Sequence, residues 1–226
     1  MGARSVRAMP KRQAGETRAA PRRRQSAADR RTQVVAAARR LMAQNGAEAV
    51  SMRAVAAAAG VSPAALYLYF PDKTVLLAAV VDAVFDELLA AFTRAVEGAA
   101  ASPDPFARLA SLMDAYVAWG LAHPDEYRLV FMTPVVGVAG QRPVAEGCRT
   151  GSANGAATFA ALAAEVSRLI ASGHARESDP ALVAEQIWAG GHGLVSLMIT
   201  FPEFAWSPRE ALCAALRETL LRGISA

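Results

Sequence analysis

The stretch Ser51-Met-Arg-Ala-Val-Ala-Ala-Ala-Ala-Gly60-Val-Ser62-Pro-Ala-Ala-Leu-Tyr-Leu-Tyr-Phe70 decides how the chain is read. Ser51 is a natural N-cap for a short helix through Met52, Val55 and Ala58, because its hydroxyl accepts from an unpaired N–H of the first turn. Gly60 stops that helix, and Ser62-Pro63 starts another almost at once, since serine caps and proline suits the first helical turn. Only Gly60 and Val61 lie between the two. Two short helices joined by a tight glycine turn, with an apolar residue inside it, are the sequence form of a helix-turn-helix. In the second, Pro63 to Tyr69, Leu66 and Phe70 stand four apart and anchor one face inward. Ala64, Ala65, Tyr67 and Tyr69 are left to face elsewhere.

Upstream, a first helix is expected from about Ala27 to Asn45. Val34, Val35, Ala38, Leu41 and Met42 form its apolar stripe, and Asn45-Gly46 ends it in a left-handed cap. Downstream, Pro71-Asp72 breaks the chain and Asp72 caps a long helix. Its buried face is Leu77, Val80, Val81, Val84, Phe85, Leu88 and Phe92. Further helices are expected over Pro103 to Ala122, Pro124 to Thr133, Ala153 to Ser172, Pro180 to Thr200 and Pro208 to Arg222, four of them announced by a Ser, His or Asp before proline. Pro134 to Ser152, with two prolines and four glycines, reads as an irregular connection. Alanine makes up roughly a quarter of the chain and no alternating strand pattern stands out, so the fold expected is all-α.

The chain has 226 residues and a net charge of +4, but the charge is unevenly spread. Residues 1–31 hold ten Lys/Arg against two acidic residues, and residues 32–75 hold four against two. Residues 76–226 hold ten against sixteen. A basic N-terminal third before an acidic body points to a polyanion at that end, while the first 25 residues are equally compatible with a solvated, disordered tail. The best membrane-span candidate, Ile187 to Phe201, is too short and is broken by three glycines and a histidine, so no membrane partner is expected. The basic N-terminus lacks the apolar stretch of a secretory signal, and two cysteines, Cys148 and Cys213, are too few for a disulfide framework. The expected compartment is the reducing cytoplasm.

The residues Arg31-Thr-Gln-Val-Val-Ala-Ala-Ala-Arg-Arg-Leu41, Gly46, Ser51 to Ser62, Ala65-Leu-Tyr-Leu-Tyr-Phe70 and Lys73 together resemble the DNA-binding domain of TetR-type transcriptional repressors, without a gap from Arg31 to Leu77. Two positions depart from the pattern: Ala64 stands where glycine is frequent, and Thr74 where glutamate is usual. Trp188-Ala-Gly-Gly-His-Gly-Leu-Val-Ser-Leu197 looks like the Trp-His-Gly type of C-terminal domain joined to such repressors, and Tyr127-Arg-Leu-Val-Phe-Met132 is similar to the same class. Charge and composition lead to the expectation of a basic disordered arm over residues 1–26, and the resemblance implies a three-helix DNA-binding domain over 27–75 and a ligand-binding and dimerisation domain over 76–226. It implies a palindromic double-stranded operator, a homodimer, a small and largely apolar effector, and no cofactor.

Carried onto this sequence, Ser51, Arg53, Tyr67 and Lys73 are the expected phosphate contacts, with Tyr69 a weaker one and Ser62 beside them at the start of the recognition helix. Base reading falls to Met52, Arg53, Pro63, Ala64 and Ala65, of which Arg53 alone can pair bidentately with guanine. Arg22, Arg23 and Arg24 suit a flanking minor groove or simple nonspecific attraction. The tyrosines fit core packing as well, and Arg53 and Lys73 fit a solvated surface. The expected effector pocket is Met113, Tyr116, Trp119, Tyr127, Phe131, Trp188 and His192; plain core packing explains any one of them. The expected dimer contact joins Ile187, Gly190, Gly191, Leu194 and Met198 to Leu212, Leu216 and Leu220, or else these stripes are intramolecular core.

Other classes fit less of the sequence. No His-x-x-x-His, metal-spaced cysteine pair, Gly-x-Ser-x-Gly elbow or phosphate-binding glycine loop occurs, so neither an enzyme nor a metal site is expected. A redox-responsive regulator would use Cys148, beside Arg149, since Cys213 lies in an apolar helix. A basic-tailed architectural or membrane-associated protein leaves the turn motif unexplained.

Overall fold

The computed structural model describes residues 26–133 and 152–226. The basic arm with Arg22, Arg23 and Arg24, the connection after Pro134, and Cys148 with Arg149 therefore lie outside the described residues. All regular structure within them is helical: α1 (Ala27–Asn45), α2 (Met52–Ala58), α3 (Pro63–Tyr69), α4 (Lys73–Gly98), α5 (Ala107–Ala122), α6 (Pro124–Tyr127) running into a π-helical turn (Arg128–Met132), α7 (Ala153–Ala171), α8 (Pro180–Thr200) and α9 (Arg209–Ile224). None of these helices is long and apolar enough to cross a membrane.

Local chemistry sets the boundaries. Ser26 and Asp29 form a reciprocal capping box at the start of α1, at 3.0 and 3.1 Å. Ser51 Oγ accepts from the Ala54 N–H at 3.2 Å, and Ser62 Oγ from the Ala65 N–H at 3.1 Å. Between the two short helices Gly60 sits at φ +64°, a conformation costly for a residue with a Cβ. Leu66 and Phe70 are fully buried, so the α3 face predicted to point inward does so.

Three expectations need correction. Gly46 has φ +80° but ψ 145°, so α1 ends at a positive-φ glycine that is extended rather than left-handed. Helix α5 begins at Ala107, not Pro103, because Pro105 disfavours helical geometry at Asp104. Asp104 instead forms a local turn, its Oδ1 accepting from the Phe106 N–H at 2.9 Å. The helix expected from Pro124 to Thr133 changes pitch at Arg128, and Thr133 Oγ1 donates to the Arg128 carbonyl at 2.9 Å. That change turns Phe131 towards Phe85, Tyr116 and Trp188.

The buried residues form one continuous core from Val34 on α1 to Ile199 on α8. Helix α4 unites it: α1 packs against it, and so do α5 and α7. On another side, Arg39 of α1 reaches Glu87 of α4 and Glu126 of α6, so the N-terminal unit and the body are also tied by charge. Where α5 and α8 cross, the fit is closest at Gly120: a Cβ there would lie 2.7 Å from Val195 Cγ1 and 2.9 Å from the Tyr127 ring. We expect Gly120→Ala to lower stability by about 1–3 kcal/mol, since none of those buried atoms can withdraw freely. Gly98→Ala, with open space around its Cβ, should be neutral or slightly stabilising. Chemical denaturation of both variants makes the comparison.

Candidate nucleic-acid interface and apolar cavity

The α2–α3 unit carries an exposed set of side chains. Ser51, Arg53, Ser62, Pro63, Ala64 and Tyr67 are exposed, and Met52, Ala65, Tyr69 and Lys73 are half-buried. Each capping serine uses its oxygen on a backbone N–H and keeps its hydroxyl hydrogen to donate outward. Among the described residues, Arg53 and Tyr67 have no charged or hydrogen-bonded partner, which leaves both free for a ligand. Tyr69 divides its role, since it packs against the core. Lys73 Nζ donates to the Glu48 carbonyl at 2.8 Å and so clips the α1–α2 loop to the start of α4, with two N–H donors remaining.

One residue escapes the sequence reading. Leu68 on α3 is 85% exposed, the largest exposure among the bulky apolar residues described. Its position off the Leu66–Phe70 stripe is a signal, but a leucine between two tyrosines reads by default as core. An exposed leucine on this helix offers apolar contact of the kind a thymine methyl takes.

In the body, α4, α5, α7, α8 and α9 line an apolar cavity of about 60 Å³ that is open to solvent on one side. Of the expected pocket residues, Met113, Tyr116, Phe131 and Trp188 line it; Trp119, Tyr127 and His192 do not. Trp119 is turned away and stacks on His123 with ring centroids 5.1 Å apart. Tyr127 and His192 stand behind the wall in a polar chain. The Trp188 indole N–H donates to the Tyr116 hydroxyl at 3.1 Å, Tyr116 bonds Tyr127 at 2.8 Å, and Tyr127 bonds His192 Nδ1 at 2.7 Å. Because an indole can only donate, the arrangement that satisfies every group runs in one direction and ends with His192 Nδ1 accepting. Burial pushes Tyr116 up to about 12 and raises Tyr127 as well, so both hydroxyls keep their hydrogens; burial also lowers His192, which favours the neutral acceptor.

Most of the α8 and α9 residues expected at a dimer contact, or else in the intramolecular core, meet neighbours in the same chain. Ile187 and Leu194 are buried and line the cavity, Gly191 packs on the Tyr116 ring, and Gly190 lies against Leu216 and Leu220 of the same chain. Met198 and Leu212 are half-buried. The expected stripe is therefore mostly the intramolecular face, because close-packing glycines suit a neighbour in the same chain as well as one in another. The opposite face of α8 is open: Leu182 is 50% and Leu197 47% exposed, with Gln186, Ala189 and Gly193 on the same side. Ala211, Ala215 and Thr219 are the corresponding exposed residues of α9. At Cys213, burial and then Asp114 raise the thiol pKa, the reverse of what a redox sensor needs.

Residues 34–80 match the family model described as bacterial regulatory proteins, tetR family, and residues 109–222 match the tetracyclin repressor-like C-terminal domain. Among solved structures, a protein of unknown function from Rhodococcus sp. RHA1 is 28% identical with a TM-score of 0.73, covering 91% of this chain and 99% of that one. A bacterial regulatory protein in the tetR family from Rhodococcus RHA1 is 23% identical, with a TM-score of 0.64 and coverage of 87% and 97%. A TetR family transcriptional regulator from Thermus thermophilus is 24% identical, with a TM-score of 0.59 and coverage of 85% and 99%. These last two share the fold. No curated protein matches the chain.

The polar chain has a pH consequence. Protonating His192 would make Nδ1 a donor, reverse the bond to Tyr127 and leave one tyrosine hydroxyl hydrogen without an acceptor. With the folded pKa below the unfolded value, the unfolded state takes the proton first, so stability is full above about pH 6.5 and falls as pH drops below it. The melting temperature should decline between about pH 7 and pH 5.5, and less steeply in His192→Asn, whose amide oxygen accepts without titrating. Thermal unfolding across that range tests the difference.

Proposed function

The chain belongs to the TetR family of bacterial regulatory proteins, which are DNA-binding transcriptional regulators, and on that premise we propose that it is a cytoplasmic homodimeric repressor of a palindromic operator, released when a small, largely apolar molecule enters the body. The observation that carries this reading is the course of α4. It starts at Lys73, beside the helix-turn-helix, and supplies Phe85, Leu88 and Phe92 to the cavity wall. A ligand that widens the cavity therefore acts on the helix that carries α1–α3, and two recognition helices fit a palindrome only at a spacing of about 34 Å.

The division of labour proposed is 27–75 for DNA and 76–226 for ligand and partner. On the DNA side, Arg53 reads a guanine, Leu68 and the alanines of α3 touch apolar edges, and Ser51, Ser62, Tyr67, Tyr69 and Lys73 hold phosphates. The dimer forms through the open faces of α8 and α9. There Ala189 and Gly193 lie between Leu182 and Leu197, so two helices can cross closely while the leucines bury against the partner. No turnover chemistry is required of any residue named.

Selection of bound sequences from a random DNA pool tests the proposal. Wild type should enrich a palindrome. Arg53→Ala should relax one position in each half-site at a cost of about 1–3 kcal/mol, while Tyr67→Phe should weaken binding to all sequences alike. Neither change removes an intramolecular contact, so melting temperatures should stay put. Leu197→Arg should sediment as a monomer and lose the palindrome. Enrichment of no sequence, or a Leu197→Arg variant that stays dimeric, would count against the operator and the interface respectively.

A further inference from the structure

We infer that the effector is an amphipathic anion, an apolar body with one carboxylate-like head, whose head is held by Arg217 at the mouth of the cavity; the inference rests on the effector reading above. Among the described residues inside the cavity, the weakly donating Cys213 thiol is all that is left to recognise a polar ligand. Tyr116 and Trp188 are spent on each other and on Tyr127, and Thr158 Oγ1 donates to the Asn154 carbonyl at 2.7 Å. What remains is aromatic and aliphatic, so the part of the ligand that enters must be apolar.

The mouth is different. Asp114 of α5 and Arg217 of α9 both line the cleft and are joined to each other across it, with side chains 51% and 31% exposed. The pair is lopsided. Both Asp114 oxygens bond to one nitrogen of Arg217, Nη1, the bond to Oδ2 being 2.6 Å. Among the described residues Nε and Nη2 of Arg217 have no acceptor, and these two form the edge of the guanidinium that fits a carboxylate bidentately. Each Asp114 oxygen accepts once from the cation and keeps a further lone pair, but Arg217 keeps a whole unpaired fork. The two-point site at the mouth is thus a donor fork, which suits the planar head of a carboxylate. A head bound there shares the guanidinium charge with Asp114 and so weakens the pull of Arg217 on that carboxylate.

The test titrates the full chain with decanoate, decanol and decylammonium, followed by tryptophan fluorescence and calorimetry. Decanoate should bind tightest. Arg217→Gln should weaken decanoate roughly 10- to 100-fold and leave decanol unchanged, and Arg217→Lys should fall between, keeping the charge but not the fork. Asp114→Asn, which frees the guanidinium, should tighten decanoate; this variant decides the matter if Arg217→Gln fails to fold. Decylammonium binding tightest and being lost in Asp114→Asn would overturn the assignment. So would equal binding of all three ligands unaffected by Arg217→Gln, although the apolar cavity would then survive as the effector site. If none of the three binds, the inference fails, whereas the DNA selection still decides the dimeric repressor independently.

Discussion

Helix α4 has to bury one unbroken apolar face, Leu76 to Phe92, against different neighbours along its length, with α1 on one part and α5 and α7 on the rest. Neither set alone covers the face, so the N-terminal three-helix unit and the body cannot drift apart without exposing leucine, valine and phenylalanine to water, at roughly 1.5–3 kcal/mol for each side chain. The position of α3 relative to the cavity is therefore fixed by packing rather than by a flexible linker. The cluster of Arg39 with Glu87 and Glu126 reinforces the same junction from a more exposed side.

This dependence explains which parts of the molecule can be read from the sequence. The helix-turn-helix is legible because its signals are local: two capping serines, a glycine at positive φ, and a proline at the first helical position each act within a few residues. The inward stripe of α4 is legible because its period persists over many turns. The start of α5 is misleading because Ser102-Pro103 has the form of a start signal while Pro105, two residues on, cancels it. The change of pitch at Arg128 has no signature in composition, and it decides that Phe131 faces the cavity while Tyr127 lies behind its wall.

The faces of α8 are harder still. Both of its stripes repeat at helical spacing, and a pattern of apolar and small residues tells that a face is covered without telling by what. The glycines at 190 and 191 mark close approach correctly, but the approaching groups are Leu220 and Tyr116 of the same chain. Similarly, Trp188 and His192 do share a face, yet their relation runs through Tyr116 and Tyr127, two hydroxyls from other elements that no spacing along α8 reveals. Sequence order gives the donors and acceptors; only the packing shows which of them are already used.

That distinction governs how the cavity can work. At about 60 Å³ the cavity is small beside the roughly 300 Å³ of a typical ligand pocket, so a drug-sized ligand needs its walls to move. On the proposed reading, the ratio of the ligand's affinities for the free and the DNA-bound protein is the factor by which it weakens DNA binding, each tenfold being about 1.4 kcal/mol. Opening can proceed along few routes. The polar chain behind the wall resists movement of Tyr116 and Trp188, because breaking it strands buried donors. The Phe131 side chain is held by ring contacts with Phe85, Tyr116, Tyr127, Trp188 and His192 rather than by hydrogen bonds, and its π-helical turn is continuous with α6, whose Glu126 meets Arg39 on α1. The wall of the cavity that Phe131 supplies is thus covalently joined to a contact with the DNA-binding unit.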